Sequence, residues 1–268
     1  MSNRYVHGYN SRENIRLQDQ ASTLVELLHS DTLYPAGSKI LEAGCGVGAQ
    51  TVALAGNNPE ASITSVDISE DSIAAARLSA EAAGIANVSF RRADIFNLPF
   101  EPDSFDHIFV CFVLEHLPCP TRALKILKKY LKTGGTITVI EGDHGSTYFF
   151  PDSESARNAI RCQIELQKRA GGNANIGREL RPLLQASGFE TISVSPRMVY
   201  VDSSKPELVD GFIRKTFTAM IEGVREAAIA AELTTRELFD EGVRDLYRTT
   251  APDGVFCYTF FKAVATRQ

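Results

Sequence analysis

The run Ile40-Leu-Glu-Ala-Gly-Cys-Gly-Val-Gly48 constrains the fold more than any other part of the chain: an apolar strand breaks here into three alternating glycines. Lacking Cβ, successive glycines let the backbone turn tightly and bring amide N–H groups up to a ligand. Ala49 to Ala55 continues as a helix whose N-terminus faces the loop, and Ala61 to Val66 reads as a second strand ending in Asp67. An acid there, roughly twenty residues past the glycines, is placed to accept two ribose hydroxyls. Gly44-x-Gly46-x-x-Ala49 also satisfies the dinucleotide pattern, so the flanks must decide. A pyrophosphate favours an electropositive helix end. Glu42, two residues before the first glycine, suits a cationic group better; its alternative is a carboxylate satisfied by neighbouring backbone N–H groups.

Further segments extend the pattern. Asn87 to Arg91 reads as a third strand, followed by Ala93-Asp94-Ile95. Ser104 to His116 contains an apolar run of the kind a strand buried on both faces requires, and it delivers Glu115 and His116. Leu131 to Gly135 reads as a turn, and Thr136 to Ile140 as a β-branched strand ending in Glu141-Gly-Asp-His144. Ligands of open parallel sheets bind beyond the carboxyl ends of the strands, where these polar residues collect. The expected fold is α/β, a Rossmann-like seven-stranded mixed sheet with helices on both faces and a small helical cover.

On these residues the chain resembles the class I S-adenosylmethionine-dependent methyltransferases. The resemblance runs from about Leu33 to Gly142 and rests on Leu41 to Gly48, Ser65-Val-Asp67-Ile-Ser69, Ala93-Asp94-Ile95 with Leu98-Pro-Phe100, Phe105-Asp106 with Leu114-Glu-His116, and Leu131-Lys-Thr-Gly-Gly135. Within that superfamily it is similar to the small-molecule enzymes of ubiquinone and menaquinone biosynthesis (methyltransferase type 11 domain). The resemblance implies S-adenosylmethionine as cofactor, S-adenosylhomocysteine as product, no metal, and an antiparallel last strand. It sets the methionine part against Gly44, Gly46 and Gly48, the ribose on Asp67, the adenine on Ile68 with Asp94 and Ile95 at its amino edge, and Cys111 and Phe112 as the floor. Glu42 fits as an acidic element near the cofactor amine, directly or through the loop backbone. Thr133 stands where the family often has proline, a change confined to the turn.

Composition narrows the acceptor. With 268 residues and a formal net charge of -5, the chain has room for one sizeable α/β domain and lacks the basic excess that a nucleic-acid substrate would require. Lys125, Lys128, Lys129 and Lys132 read as a solvated helix face. Five cysteines without a Cys-x-x-Cys pair or metal spacing imply free thiols in a reducing, cytoplasmic setting, with Cys45 packing inside the loop. No apolar run is long enough to span a membrane, and the polar amino terminus has no signal-peptide pattern. The expected partner is a small-molecule methyl acceptor, with no nucleic acid; association with further copies of the chain stays open.

Substrate choice belongs to the segments outside the core. The expected organisation is an N-terminal helical segment over 1–32, a methyltransferase core over 33–200 plus 248–268 with an added helix near 151–172, and a helical cover insertion over 201–247. Arg12 to Ser30 reads as a helix with Ile15, Leu24, Leu27 and Leu28 inward, preceded by Tyr5, His7 and Tyr9. Ser153 to Arg169 reads as the added helix, capped by Asp152 or Ser153 and stopped by Gly171-Gly172. Leu208, Val209, Phe212, Ile213, Phe217, Met220, Ile221 and Val224 recur at helical spacing, and Thr234-Thr-Arg-Glu237 reads as a capping box. Tyr5, Tyr9, Tyr148 and Phe149 are the candidate substrate-binding residues, and such an aromatic lining fits a partly hydrophobic acceptor.

Methyl transfer is an in-line displacement, so alignment and exclusion of water dominate. A base matters only where the acceptor must lose a proton. His116 and His144, at the ends of the fourth and fifth strands, are the base candidates, Glu141 is positioned to orient either imidazole, and His29 and His107 read as structural. Two other readings stay open here: a noncatalytic S-adenosylmethionine-binding module and an NAD(P)-dependent oxidoreductase. The second draws on Tyr258-x-x-x-Lys262, but in a strand those residues stand roughly 13 Å apart, too far for a pair that must act together.

Overall fold

The computed structural model describes residues 23–268; Tyr5, His7, Tyr9, Ile15 and the expected helix before Thr23 lie outside the described residues. Seven strands form one mixed sheet: β1 (Lys39–Ala43), β2 (Ser62–Asp67), β3 (Val88–Arg92), β4 (Phe105–Cys111), β5 (Leu131–Phe150), β6 (Glu190–Asp202) and β7 (Val255–Thr266), in the order β3-β2-β1-β4-β5-β7-β6. β1 pairs in parallel with β2 and β4, β2 with β3, and β4 with β5. The last strand, β7, is antiparallel. Gly134 N–H donates to the Arg267 carbonyl and Arg267 N–H to the Gly135 carbonyl, the bonding of a bulge in an antiparallel pair, two residues facing one.

The flanking helices are α1 (23–29), α2 (Ala49–Asn57), α3 (Glu70–Ala82), α4 (Pro120–Tyr130), α5 (Glu154–Arg169), α6 (Leu180–Ala186), α7 (Pro206–Leu208), α8 (Ala219–Gly223), α9 (Arg225–Ala230) and α10 (Arg236–Arg248). Between α7 and α8, Val209–Thr218 is wound as a π-helix.

The chain divides into two compact units. The glycine-loop unit comprises Val25–Glu141, Ile176–Arg197 and Phe261–Gln268. Its core is built on the central parallel strands, where Leu41, Val66, Ile108, Val110, Ile137 and Val139 are buried because neighbouring strands and helices leave no solvated face. α4 lays Ala123, Leu124 and Leu127 into that core while Lys125 and Lys129 remain exposed. α1 is fastened at its C-terminal end: the buried Lys262 ammonium donates to the Leu28 carbonyl, to Thr32 Oγ1 at 2.7 Å and to Asp31 Oδ1 at 2.6 Å. A carbonyl in the last turn has no partner within the helix, so a cation there satisfies it and complements the helix dipole.

The aromatic unit comprises residues 23–24, Gly142–Asn175 and Met198–Phe260. α5 starts at Ser153, whose hydroxyl accepts the Ala156 N–H, and packs against α10. The π-helix sends Phe212 and Phe217 against Phe256 and Tyr258, with ring centroids 4.8–6.1 Å apart.

Three local expectations change. Leu131 to Gly135, read as a turn, is the start of β5; Gly134 at φ +79° and a register shift opposite Phe105 and His107 absorb the glycine pair as a bulge. The segment through His144, expected at the end of the fifth strand, lies in the interior of the same strand. α10 is capped by Thr235, which accepts the Leu238 N–H, while Thr234 donates to Asn158.

Candidate functional site

The glycine loop leaves β1 and enters α2 through three residues in the left-handed region: Gly44 at φ +85°, Gly46 at +51° and Gly48 at +80°. Two of them are also sterically obligatory. A Cβ on Gly44 would lie 2.6 Å from Val113 Cγ2, and one on Gly48 would lie 2.9 Å from Ala76 Cα of α3. A Cβ on Gly46 would meet nothing within 4 Å, so this residue presents bare backbone to open space. Gly44 and Cys45 N–H both donate to the Val66 carbonyl, which seats the loop on the end of β2. Cys45 itself packs on Ile73 and Ala76, its thiol pushed up by burial.

Asp67 braces the loop. One carboxylate oxygen accepts the Gly46 N–H at 2.9 Å and the other accepts the Ser69 N–H at 2.9 Å, ahead of α3. Ile68 beside it is 58% exposed, an apolar side chain left in solvent at the carboxyl end of a sheet strand. Asp94 turns the chain after β3 by accepting the Phe96 N–H, and Ile95 packs on the core. Cys111 ends β4 buried, and Phe112 follows in the left-handed region at φ +57°, a conformation that costs a bulky residue energy.

Glu42 lies beneath this surface. Its carboxylate accepts Thr51 Oγ–H at 2.7 Å and Ser65 Oγ–H at 2.5 Å, so side-chain hydroxyls take the place that sequence reasoning gave to backbone N–H groups. Thr51 and Ser65 were not singled out in the sequence; Ser65 is the direct register partner of Glu42 across β1 and β2, a signal available only once that pairing is known. Burial pushes the Glu42 carboxyl up to about 7, and the Asp67 charge adds to the effect. A carboxyl that holds its proton more tightly folded than unfolded adds stability at low pH and loses it as pH rises from about 4.5 to about 7. The loss corresponds to about 3 kcal/mol. Glu42→Gln is therefore expected to become more stable relative to the parent as pH rises from 4.5 to 7.5, measured by urea unfolding at several pH values; a difference independent of pH would refute it. His29, buried against Gln50 Oε1 and pushed down to about 4 by desolvation, acts oppositely in both proteins: its contribution is lost as pH falls from about 6.5 through 4.

At the carboxyl end of β4, Leu114–His116 forms a 3₁₀ turn. Sequence reasoning pairs Glu141 with an imidazole; in the structure its Oε1 accepts the Val113 N–H at 3.0 Å and the Leu114 N–H at 2.7 Å, capping that turn. Glu141 is fully buried, and desolvation together with the Glu115 charge raises its carboxyl well above the usual range. His116 Nε2 stands 3.5 Å from Glu115 Oε1, with about a quarter of the imidazole exposed.

In the aromatic unit, His144 is buried in β5. Nδ1 is 3.0 Å from the Tyr258 hydroxyl and Nε2 is 3.3 Å from Met220 Sδ. A thioether accepts but cannot donate, so Nε2 carries the proton and Tyr258 donates to Nδ1. Tyr258 entered the sequence reading only through its spacing to Lys262; both lie in β7, each with its own partners. Of the aromatic triplet ending β5, Phe149 is buried, while Tyr148 and Phe150 are exposed. The five cysteines are unpaired. Among the described residues no group of three or more His, Cys, Asp or Glu could hold a metal ion, and no helix is long and apolar enough to cross a membrane.

A glycine loop on the first parallel strand, a carboxylate closing the second and an antiparallel last strand define a Rossmann-like α/β protein of the methyltransferase type. The chain belongs to the methyltransferase-domain family, whose model matches residues 35–188. It is 37% identical over 109 residues to the ubiquinone biosynthesis O-methyltransferase of Idiomarina loihiensis, a stretch covering 41% of this chain and 43% of that protein. It is 31% identical over 134 residues to the demethylmenaquinone methyltransferase of Staphylococcus aureus, covering 50% of this chain and 55% of the other. The chain thus spans about half the length of the curated relatives it matches. Among solved structures, a phosphoethanolamine N-methyltransferase 2 of Haemonchus contortus, in complex with phosphomonomethylethanolamine and S-adenosylhomocysteine, has the same fold at a TM-score of 0.57. The match is 18% identical and covers 93% of this chain and 53% of that one.

Proposed function

We propose that this chain transfers a methyl group from S-adenosylmethionine to a partly hydrophobic small organic molecule. The observation that carries the reading is the glycine loop braced by Asp67, with Gly46 presenting unshielded backbone where a nucleoside-linked amino acid would lie. The residues present fit the cofactor: Gly44, Gly46 and Gly48 would face its methionine part, Asp67 its ribose, and Ile68 with Asp94 and Ile95 its adenine, Ile68 gaining the apolar cover it lacks. Cys111 and Phe112 would form the floor. Glu42 would act from below, tying β1, β2 and α2 into one support for the loop. When bound, the cofactor supplies a sulfonium methyl whose positive charge is consumed as a nucleophile attacks. The protein's share is to align the acceptor and exclude water.

Where the acceptor must lose a proton, we assign the base to His116, steadied by Glu115, in preference to His144, whose ring nitrogens are engaged by Tyr258 and Met220. The relatives named for ubiquinone and demethylmenaquinone support a ring-bearing acceptor. Calorimetric titration tests the cofactor: S-adenosylhomocysteine should bind and NADH should not, and the reverse would overturn the reading. With an acceptor in hand, His116→Ala should lower turnover at least tenfold at unchanged S-adenosylhomocysteine affinity; wild-type turnover would remove the histidine from that role.

A further inference from the structure

We propose that the aromatic unit carries a binding site for a small aromatic carboxylate. A cavity of about 140 Å³, open to solvent on one side, lies between β5 and α5, walled by His144 and Phe149 on the strand and by Arg157, Ile160, Arg161 and Ile164 on the helix. Its size is close to the roughly 150 Å³ of an apolar cavity that takes up benzene. The four α5 residues recur at i, i+3, i+4 and i+7, so one helix face supplies both the apolar wall and two guanidinium groups.

The arginines are placed to accept a guest. Arg157 pairs with Asp152 at 2.7 Å and lies over the Phe149 ring, its Cζ 5.1 Å from the centroid. Arg161 pairs with Glu154 at 2.6 Å. Both acids are largely solvated, with side-chain exposures of 68% and 77%, and exposed pairs of this kind contribute only about 0–1 kcal/mol. A guanidinium has five N–H donors in a planar fork, so a ligand carboxylate can be bound beside or in place of the surface acid. The ring of such a ligand would lie against Phe149, Ile160 and Ile164, with its charge at the arginine side. A neutral ring would forgo the guanidinium groups, and a small anion would leave the apolar wall wet.

This ligand site stands by itself, independent of the methyltransferase reading above. The test is NMR-monitored titration of the full chain with benzoate, acetate and benzyl alcohol. Benzoate should bind at least tenfold more tightly than either fragment-like control, with shifts at Phe149 and Ile160. In Arg157→Gln/Arg161→Gln its affinity should fall at least tenfold while S-adenosylhomocysteine affinity is unchanged. No benzoate binding, equal binding of benzoate and benzyl alcohol, or equal affinity in the double variant would overturn the site. Arg161→Gln alone, a change at a half-exposed side chain, gives the same comparison should the double variant fold poorly.

Discussion

Replacing Asp67 with alanine is expected to weaken S-adenosylhomocysteine binding by between about thirtyfold and a thousandfold, because two kinds of interaction go together. On the proposed assignment the ribose hydroxyls would lose a charged acceptor, worth about 1.5–3 kcal/mol for a hydrogen bond to an ionised group. The loop loses its brace, since the Gly46 and Ser69 N–H groups are both held by this carboxylate. Asp67→Asn separates the contributions. Its single carbonyl oxygen can accept one of the two amides, while its NH₂ group cannot accept the other, so its affinity should fall between parent and alanine variant. Calorimetry reads the affinity and thermal unfolding reads the fold. An Asp67→Ala protein that binds S-adenosylhomocysteine as tightly as the parent would remove Asp67 from the site.

Gly242→Ala should be among the most destabilising single methyl additions in the aromatic unit. Gly242 of α10 faces the backbone of α5: an added Cβ would fall on the Ser155 carbonyl oxygen, 2.7 Å from its carbon and 3.1 Å from Ala159 Cβ. Backbone cannot rotate away as a side-chain tip can, so the helices must part. Overpacking of this kind typically costs 1–3 kcal/mol, and the better helix propensity of alanine offsets only about 1 kcal/mol. The expected net loss is up to about 2 kcal/mol, with benzoate affinity reduced because α5 carries one wall of the cavity. Gly56→Ala is the control: it lies in α2 with nothing within 4 Å of its new methyl and should be neutral or slightly stabilising. Equal unfolding midpoints for Gly242→Ala and the parent would show that the contact yields freely.

Much of the glycine-loop unit was legible because its signals are local. Strands buried on both faces read as unbroken apolar runs, and a left-handed loop demands glycine. Of the candidate residues on this unit, Asp67 ends β2 and His116 follows β4, positions that the same local patterns mark. What escaped depended on partners distant in sequence. Glu141-Gly-Asp-His-Gly145 is polar enough to read as a loop, yet it is strand, with His144 satisfied by Tyr258 and Met220 far along the chain. Gly134-Gly135 reads as a turn, but β5 runs through it because pairing with β4 and β7 outweighs the local preference. The hydroxyls on Glu42 could not be assigned until β1 and β2 were in register.

The π-helical winding of Val209–Thr218 sets the directions of two phenylalanines. Phe212 and Phe217 are five residues apart, and on an α-helix, at about 100° per residue, their side chains would diverge by about 140°. The wider turn, bonded i to i+5, brings that spacing back onto one face. Both rings therefore meet Phe256 and Tyr258, and the hydroxyl of that tyrosine stands 3.0 Å from His144 Nδ1. The angular phase of one helical segment thus sets, through a stack of rings, where the hydroxyl that meets an imidazole on a strand is held.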